Sequence, residues 1–226
     1  MKNQYFGDEN DYKKYGLLRV LTDRSSLGTG ICWLLTEPDG RNDGGRIKYL
    51  SKPKKWWAYD RELFDELVRI VLNERCRDVA RADSPAILKS MTFHPSFISN
   101  CRDQRQQYFH EAMHRFKGLD LIFFDPDNGI EVPSTPVGRK GSCKYIYWKE
   151  LQVAYSAGHS LLVYQHFPFE KREAFIERRA NELKGYLFAP EVHAYRTAHV
   201  VFFLVPQERH LEYFQARRLV VNMKWG

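Results

Sequence analysis

The stretch Leu121-Ile122-Phe123-Phe124-Asp125-Pro126-Asp127-Asn128-Gly129 decides the reading of this chain. A continuous apolar run, β-branched and aromatic, ends in a turn-forming cluster that carries two carboxylates. The run is short and follows a helix stop at Lys117-Gly118, so it reads as a buried strand and not as a helix segment. Pro126 lacks a backbone N–H and Asn128-Gly129 favours positive φ, so strand pairing must stop near Asp125. In open α/β sheets, ligands bind outside the carboxyl ends of the strands, above all where strand order reverses. Asp and Asn also cap turns with no further role. This cluster supplies more polar groups than a turn needs, which favours chemistry at Asp125.

Outward from that strand, elements alternate. Asn10 or Asp11 can cap a helix over residues 10–24, where Tyr15, Leu18 and Leu21 recur at helical spacing. Gly28 and Gly30 precede a first strand, Ile31-Cys32-Trp33-Leu34-Leu35-Thr36, which exits into a glycine- and Asx-rich loop over residues 37–45. Helices are predicted over 58–75, 102–117, 149–157 and 169–184, and a further strand over 159–166. Residues 76–101, punctuated by Ser84-Pro85 and His94-Pro95, read as a short helix and loops. Residues 133–142 form a Pro/Gly/Ser-rich loop, long by ordinary standards. Residues 191–205 alternate into an apolar strand, 206–215 turn, and 217–223 return as a last strand. Strands alternating with helices imply a parallel sheet. The closing pair, on a short link, must be antiparallel. The expectation is a single α/β domain over residues 1–226, a Rossmann-like three-layer sandwich with a mainly parallel sheet. It ends in a C-terminal antiparallel hairpin of residues 200–205 and 219–223.

Composition is compatible with one core: 226 residues, 43% hydrophobic and 15% aromatic. No apolar run reaches the ~20 residues a membrane-crossing helix needs, and Met1-Lys2-Asn3-Gln4-Tyr5 has no apolar signal-peptide region. Cys32, Cys76, Cys101 and Cys143 form no CxxC pair, which argues against a zinc site. A reduced, cytoplasmic protein is expected. The net charge of +7 permits a polyanionic partner. In Lys52-Pro53-Lys54-Lys55-Trp56-Trp57, cations interleave with rings, which suits RNA or DNA because cations neutralise phosphates and rings stack on bases. A solvated basic face with the tryptophans packed inward is the alternative. Arg139-Lys140 adds to the basic set.

Three strand tips carry polar clusters: residues 37–45, residues 125–129 and Gln165-His166. In a parallel sheet they share one edge and can converge on one pocket. The glycine-rich loop lets a cofactor approach the backbone closely, though it is neither a GxGxxG fingerprint nor a P-loop.

Tyr5-Phe6-Gly7-Asp8-Glu9-Asn10-Asp11-Tyr12-Lys13-Lys14-Tyr15, the glycine-rich loop over residues 39–45 and Asp125-Pro126-Asp127-Asn128 resemble three segments of the RlmJ-type family of large-subunit ribosomal RNA adenine methyltransferases. Gly7, Asp11 and Lys14 match that family's Gly-Asn-x-x-Asp-x-x-Lys-His, while Asp8 replaces Asn and Tyr15 replaces His. The family's catalytic Asp-Pro-Pro-Tyr is matched in part: Asp127 stands for the second proline and Asn128 for the aromatic. A parallel sheet closed by an antiparallel pair is also the layout of class I methyltransferases. The resemblance implies an S-adenosylmethionine-dependent methyltransferase acting on a nucleic acid. Asp125, Asp127 and Asn128 would be catalytic. Lys14, Asp39, Gly40, Asn42, Asp43 and Gly44 would hold the cofactor, and Tyr5, Lys54, Lys55, Trp56 and His166 the substrate. Two other readings stand beside it. Asp125, Asp127 and Asn128, with Asp39 and Asp43, are oxygen ligands of the kind magnesium prefers, and His94, His159 or His166 could act as general base in a nuclease or phosphodiesterase. The chain could also be a non-catalytic nucleic-acid-binding protein on a degenerate methyltransferase fold.

Overall fold

Four buried apolar runs build the frame of the sheet. In the computed structural model, which describes residues 1–23, 27–37 and 44–225, the strands are β1 (Thr29–Cys32), β2 (Thr92–His94), β3 (Leu121–Phe124), β4 (Gly129–Ile130), β5 (Tyr145–Ile146), β6 (Ser160–His166), β7 (His193–Arg196) and β8 (Val200–Val205). The α-helices are α1 (Glu9–Thr22), α2 (Pro53–Val68), α3 (Arg102–Arg115), α4 (Trp148–Ser156), α5 (Arg172–Leu187) and α6 (Leu211–Trp225). Six strands form one mainly parallel sheet in the order β2-β1-β3-β6-β8-β7. β1 pairs in parallel with β2 and β3, and β3 with β6. β8 is antiparallel to both of its neighbours, β6 and β7. β4 and β5 make a separate short parallel pair.

The chain divides into two compact units. The first consists of Met1 and residues 27–36 and 92–212, and holds the whole sheet with α3, α4 and α5. One sheet face is Cys32, Ile122, Phe124, Leu161, Val163, Val201, Phe203 and Val205, the alternate residues of β1, β3, β6 and β8. It is packed by Tyr108, Ala112 and Phe116 from α3 and its end, Leu151 and Ala154 from α4, and Phe175, Leu183 and Leu187 from α5. The opposite alternation is buried as well and aromatic, with Trp33, Phe123 and Phe202 in ring contact. Burial on both faces is why these strands read as unbroken apolar runs. Gly30 in β1 fits against Phe116, whose ring would stand 2.7 Å from an added Cβ.

The second unit comprises residues 2–26, 37–91 and 213–226. Asp8 caps α1, its carboxylate accepting from the Asn10 and Asp11 N–H groups at 2.8 and 2.9 Å. An aromatic cluster of Tyr12, Tyr49, Trp56 and Phe64 ties α1 to α2, with centroids 5.5 to 6.0 Å from Tyr12. α2 is kinked at Asp60, whose backbone is extended. Arg19 Nε donates to its carboxylate at 2.8 Å.

Two expectations need correction. Residues 219–223 are not a strand; they belong to α6, which begins at Leu211 and so also takes in the second half of the turn expected over 206–215. Leu219-Val220-Val221 looks β-branched and apolar in isolation, yet the buried positions are Phe214 and Val221, seven apart and so on one helical face. The helix is held by side chain to backbone bonds: Arg217 Nε donates to Val20 O at 2.7 Å and the Tyr213 hydroxyl to Leu21 O at 2.8 Å. The partner of 200–205 is therefore β7, across the tight link at residues 197–199. The second correction is β2, which falls in a stretch read as helix and loops. Among the described residues, no helix is long and apolar enough to cross a membrane.

Candidate active site at the carboxyl edge of the sheet

β1 leads on one side to β2 and on the other to β3, so strand order reverses between the carboxyl ends of β1 and β3. Backbone pairing continues one residue past β3, with Asp125 N–H donating to Cys32 O at 3.0 Å, and then Pro126 ends it. Asp125 is buried and Asp127 nearly so. The Thr36 hydroxyl, beyond the end of β1, donates to Asp127 Oδ2 at 3.0 Å. The Met1 nitrogen donates to Leu34 O at 3.1 Å and Asp125 O at 3.2 Å, and lies 2.7 Å from Asp127 Oδ1. Two carbonyls and one carboxylate oxygen from the two strand ends thus surround the Met1 ammonium.

β6 makes this turn rigid. Gln165 Oε1 accepts from Ile130 N–H at 2.9 Å while its Nε2 donates to Asn128 O at 3.1 Å and His166 O at 2.8 Å. His166 N–H adds a bond to Asn128 O at 3.1 Å. Gly129 has φ +121°, and a Cβ there would meet the Gln165 carboxamide at 2.4 Å, so both the conformation and the close approach require glycine. The His166 ring is exposed and its Nε2 pairs with the Tyr164 hydroxyl at 2.8 Å. On the far side, buried Arg105 grips Glu150 through Nε and Nη2 at 2.6 and 2.9 Å and the carbonyls of Ser142 and Tyr145, fastening the end of the 133–142 loop.

The opposite, amino edge of the same sheet carries Ser160, His210 and Asp120, the residue types of a nucleophilic triad. Ser160 Oγ is 2.9 Å from His210 Nδ1, and His210 Nε2 is 3.3 Å from Asp120 Oδ1. The wiring is structural. With Arg209 Nε donating to His210 Nε2 at 3.1 Å, the tautomer that fits carries Nδ1–H toward Ser160 Oγ, and in that tautomer the imidazole does not accept the serine proton. Burial and the Arg209 charge both hold the His210 pKa below its ordinary 6.5. Ser160 is 0% exposed, and its Oγ also accepts the Gln207 N–H at 2.9 Å.

The remaining predicted residues belong to the second unit. Lys14 is buried, its Nζ 2.8 Å from Asp11 Oδ1. Asp11 also accepts from the Gly7 N–H and the Tyr15 hydroxyl at 3.2 and 2.9 Å. Burial beside Asp11 pushes the Asp8 carboxyl up to about 7. Asp39, Gly40, Asn42 and Asp43 lie outside the described residues. Gly44 packs on Gln4 and Tyr5, and its carbonyl accepts from Arg77 Nη2 at 2.7 Å. Lys54 and Lys55 are exposed. Trp56 is only 7% exposed and packs into the aromatic cluster, so its ring is not presented for stacking. The neighbouring Trp57 is 37% exposed, with the Arg61 guanidinium over its ring at 4.6 Å and its Nε1 donating to Asp65 at 2.8 Å. His159 is buried and bound through Nδ1 to Leu119 O at 2.6 Å, which makes it a packing residue.

Two site features were not read from the sequence. Thr36 reaches Asp127 only because β1 and β3 are neighbours. The His110-Glu111-Ala112-Met113-His114 spacing on α3 was legible, but the polar character of that helix masked it. Among the described residues, no three His, Cys, Asp or Glu side chains stand close enough to hold a metal ion. Compared with protein-family models, curated proteins and solved structures, the chain matches none.

Proposed function

We propose that the chain is an S-adenosylmethionine-dependent methyltransferase acting on a nucleic acid, built on a Rossmann-like three-layer sandwich. The observation that carries the reading is the convergence of Asp125 and Asp127 on the point where strand order reverses, the usual ligand crevice of such sheets. The antiparallel strand β8 between β6 and β7 supports it, because that inserted strand separates the class I methyltransferase layout from a dinucleotide-binding dehydrogenase. The polarity of the edge fits an amine substrate. Leu34 O, Asp125 O and the Asp127 carboxylate stand together at this edge as hydrogen-bond acceptors. An exocyclic base amine donates two hydrogens to such acceptors, which aims its lone pair away from them. The cofactor would supply the methyl group. The Asp127 carboxylate is the nearby acceptor for the proton the amine releases. Rigidity of the turn, set by Gln165 and Gly129, keeps these oxygens preorganised. Exposed Lys52, Lys54 and Lys55 and the net charge of +7 favour a polyanionic substrate.

Titration calorimetry with S-adenosylmethionine, with and without magnesium, tests the reading. Expected is metal-independent binding, followed by methyl transfer from labelled cofactor to RNA or DNA that is lost in Asp127→Asn. Magnesium binding that disappears in Asp125→Ala, with no cofactor binding, would overturn it in favour of a nuclease. Nucleic-acid binding with neither would leave a non-catalytic binder.

A further inference from the structure

The exposed side of α3 carries a spacing that the carboxyl edge does not use. His110-Glu111-Ala112-Met113-His114 sets two imidazoles four residues apart, on one helix face with Cβ atoms about 5–6 Å apart. A carboxylate follows the first directly, the His-Glu-x-x-His order in which helices present two nitrogens to zinc. These residues line a cavity of about 400 Å³ together with Arg115 and with His94, Pro95 and Ser96 from the end of β2. His110, Glu111 and His114 are exposed, so their rotamers can adjust to an incoming ion.

His94 supplies the second, independent observation. It is 4% exposed, and its Nε2 has no hydrogen-bond partner among the described residues. A buried polar nitrogen left in that state costs stability unless something occupies it. Its ring is held edge-on against Tyr108 at 4.5 Å. Glu111 also accepts from Gln107 Nε2 at 2.7 Å. The charges of Glu111 and Arg115 oppose each other, so attraction for a cation comes from the nitrogens and not from net charge. Nitrogen donors select borderline ions such as zinc over magnesium.

We propose that this cavity binds one zinc-like divalent cation through His110 and His114, with His94 as the third nitrogen, reached when the two exposed imidazoles turn inward. The side chains as they stand do not form a closed cage, so the fourth position is open to water or to a ligand of the metal. Its ligands are none of the residues of the Asp125–Asp127 cluster, so the proposal stands or falls independently of the methyltransferase reading.

The test is a zinc titration of the whole metal-stripped protein, with cobalt as spectroscopic probe. Expected is one ion per chain with micromolar affinity, a four-coordinate cobalt spectrum, and no competition from magnesium. Binding should be lost in His110→Ala and in His114→Ala. It should weaken at least tenfold in both His94→Gln and His94→Phe, with circular dichroism confirming that the variants fold. Either His94 variant that folds is sufficient for that arm. No binding at high micromolar zinc, binding that survives His114→Ala, or an unchanged affinity in a folded His94 variant would overturn the proposal.

Discussion

The two edges of one sheet use similar residue types to opposite ends. At the amino edge, Ser160, His210 and Asp120 spell a triad but spend their hydrogen bonds on Gln207 and Arg209, with the serine wholly buried. At the carboxyl edge, the Thr36 hydroxyl donates to Asp127, and Leu34 O and Asp125 O gather with that carboxylate around the Met1 ammonium. A triad is recognised by roles and geometry, and the roles here follow from where the chain turns. The amino edge fastens; the carboxyl edge is where we propose the site.

The largest expected effect is at the carboxyl edge. Gly129→Val adds a side chain against Gln165 at a φ of +121° that L residues rarely adopt. Chemical denaturation should show a loss of roughly 2–5 kcal/mol. A change within 0.5 kcal/mol would mean that the turn is not held by Gln165. Next comes Ser160→Ala, which strips the Gln207 N–H and the His210 Nδ1–H of their acceptor and should cost about 1–3 kcal/mol. Cofactor affinity should not move. If catalysis disappeared in a stable Ser160→Ala protein, the assignment of the two edges would be reversed.

The reciprocal variant sharpens the contrast. Asp127→Asn keeps the shape and the bond from Thr36 but takes the charge partner from the buried Met1 ammonium, so stability should fall by about 1–3 kcal/mol. Methyl transfer should fall at least tenfold, which is about 1.4 kcal/mol of transition-state stabilisation. Smaller still is a pH effect at the amino edge. His210 is held neutral in the fold, whereas the unfolded chain takes up a proton near pH 6.5. Below that pH the unfolded state binds more protons, so stability falls as pH falls through about 6.5 and is fully present above it. His210→Gln should flatten this dependence, read from paired denaturation curves between about pH 7.5 and 5.5. The smallest effect concerns the partner: Lys54→Ala with Lys55→Ala should lower the log–log salt slope of nucleic-acid binding by up to about two units. An unchanged slope would remove these lysines from the interface.

Legibility followed how local each determinant is. The β3 run and its Pro126 stop, α1 with its aspartate cap, and α3 through α5 were readable because propensity and burial agree within each segment. β2 was missed because Thr92-Phe93-His94 is only three residues long and ends at Pro95, too short for a period to register. α6 was misread because three apolar residues, Leu219 to Val221, outweighed the seven-residue spacing of Phe214 and Val221. Trp56 was offered as a stacking ring because a basic–aromatic pattern looks the same whether the ring faces water or Tyr12 and Tyr49.

By itself the sequence determined a buried strand ending in two carboxylates, since an apolar run and a proline stop are properties of consecutive residues. Tertiary structure alone decided that Thr36 and Leu34 stand beside those carboxylates, that Gln165 locks their turn, and that Ser160 and His210 are a fastening. It also brought His94 to the cavity that His110 and His114 line. Each of these depends on which strands are neighbours, and strand order is set by long-range packing that leaves no periodic trace along the chain.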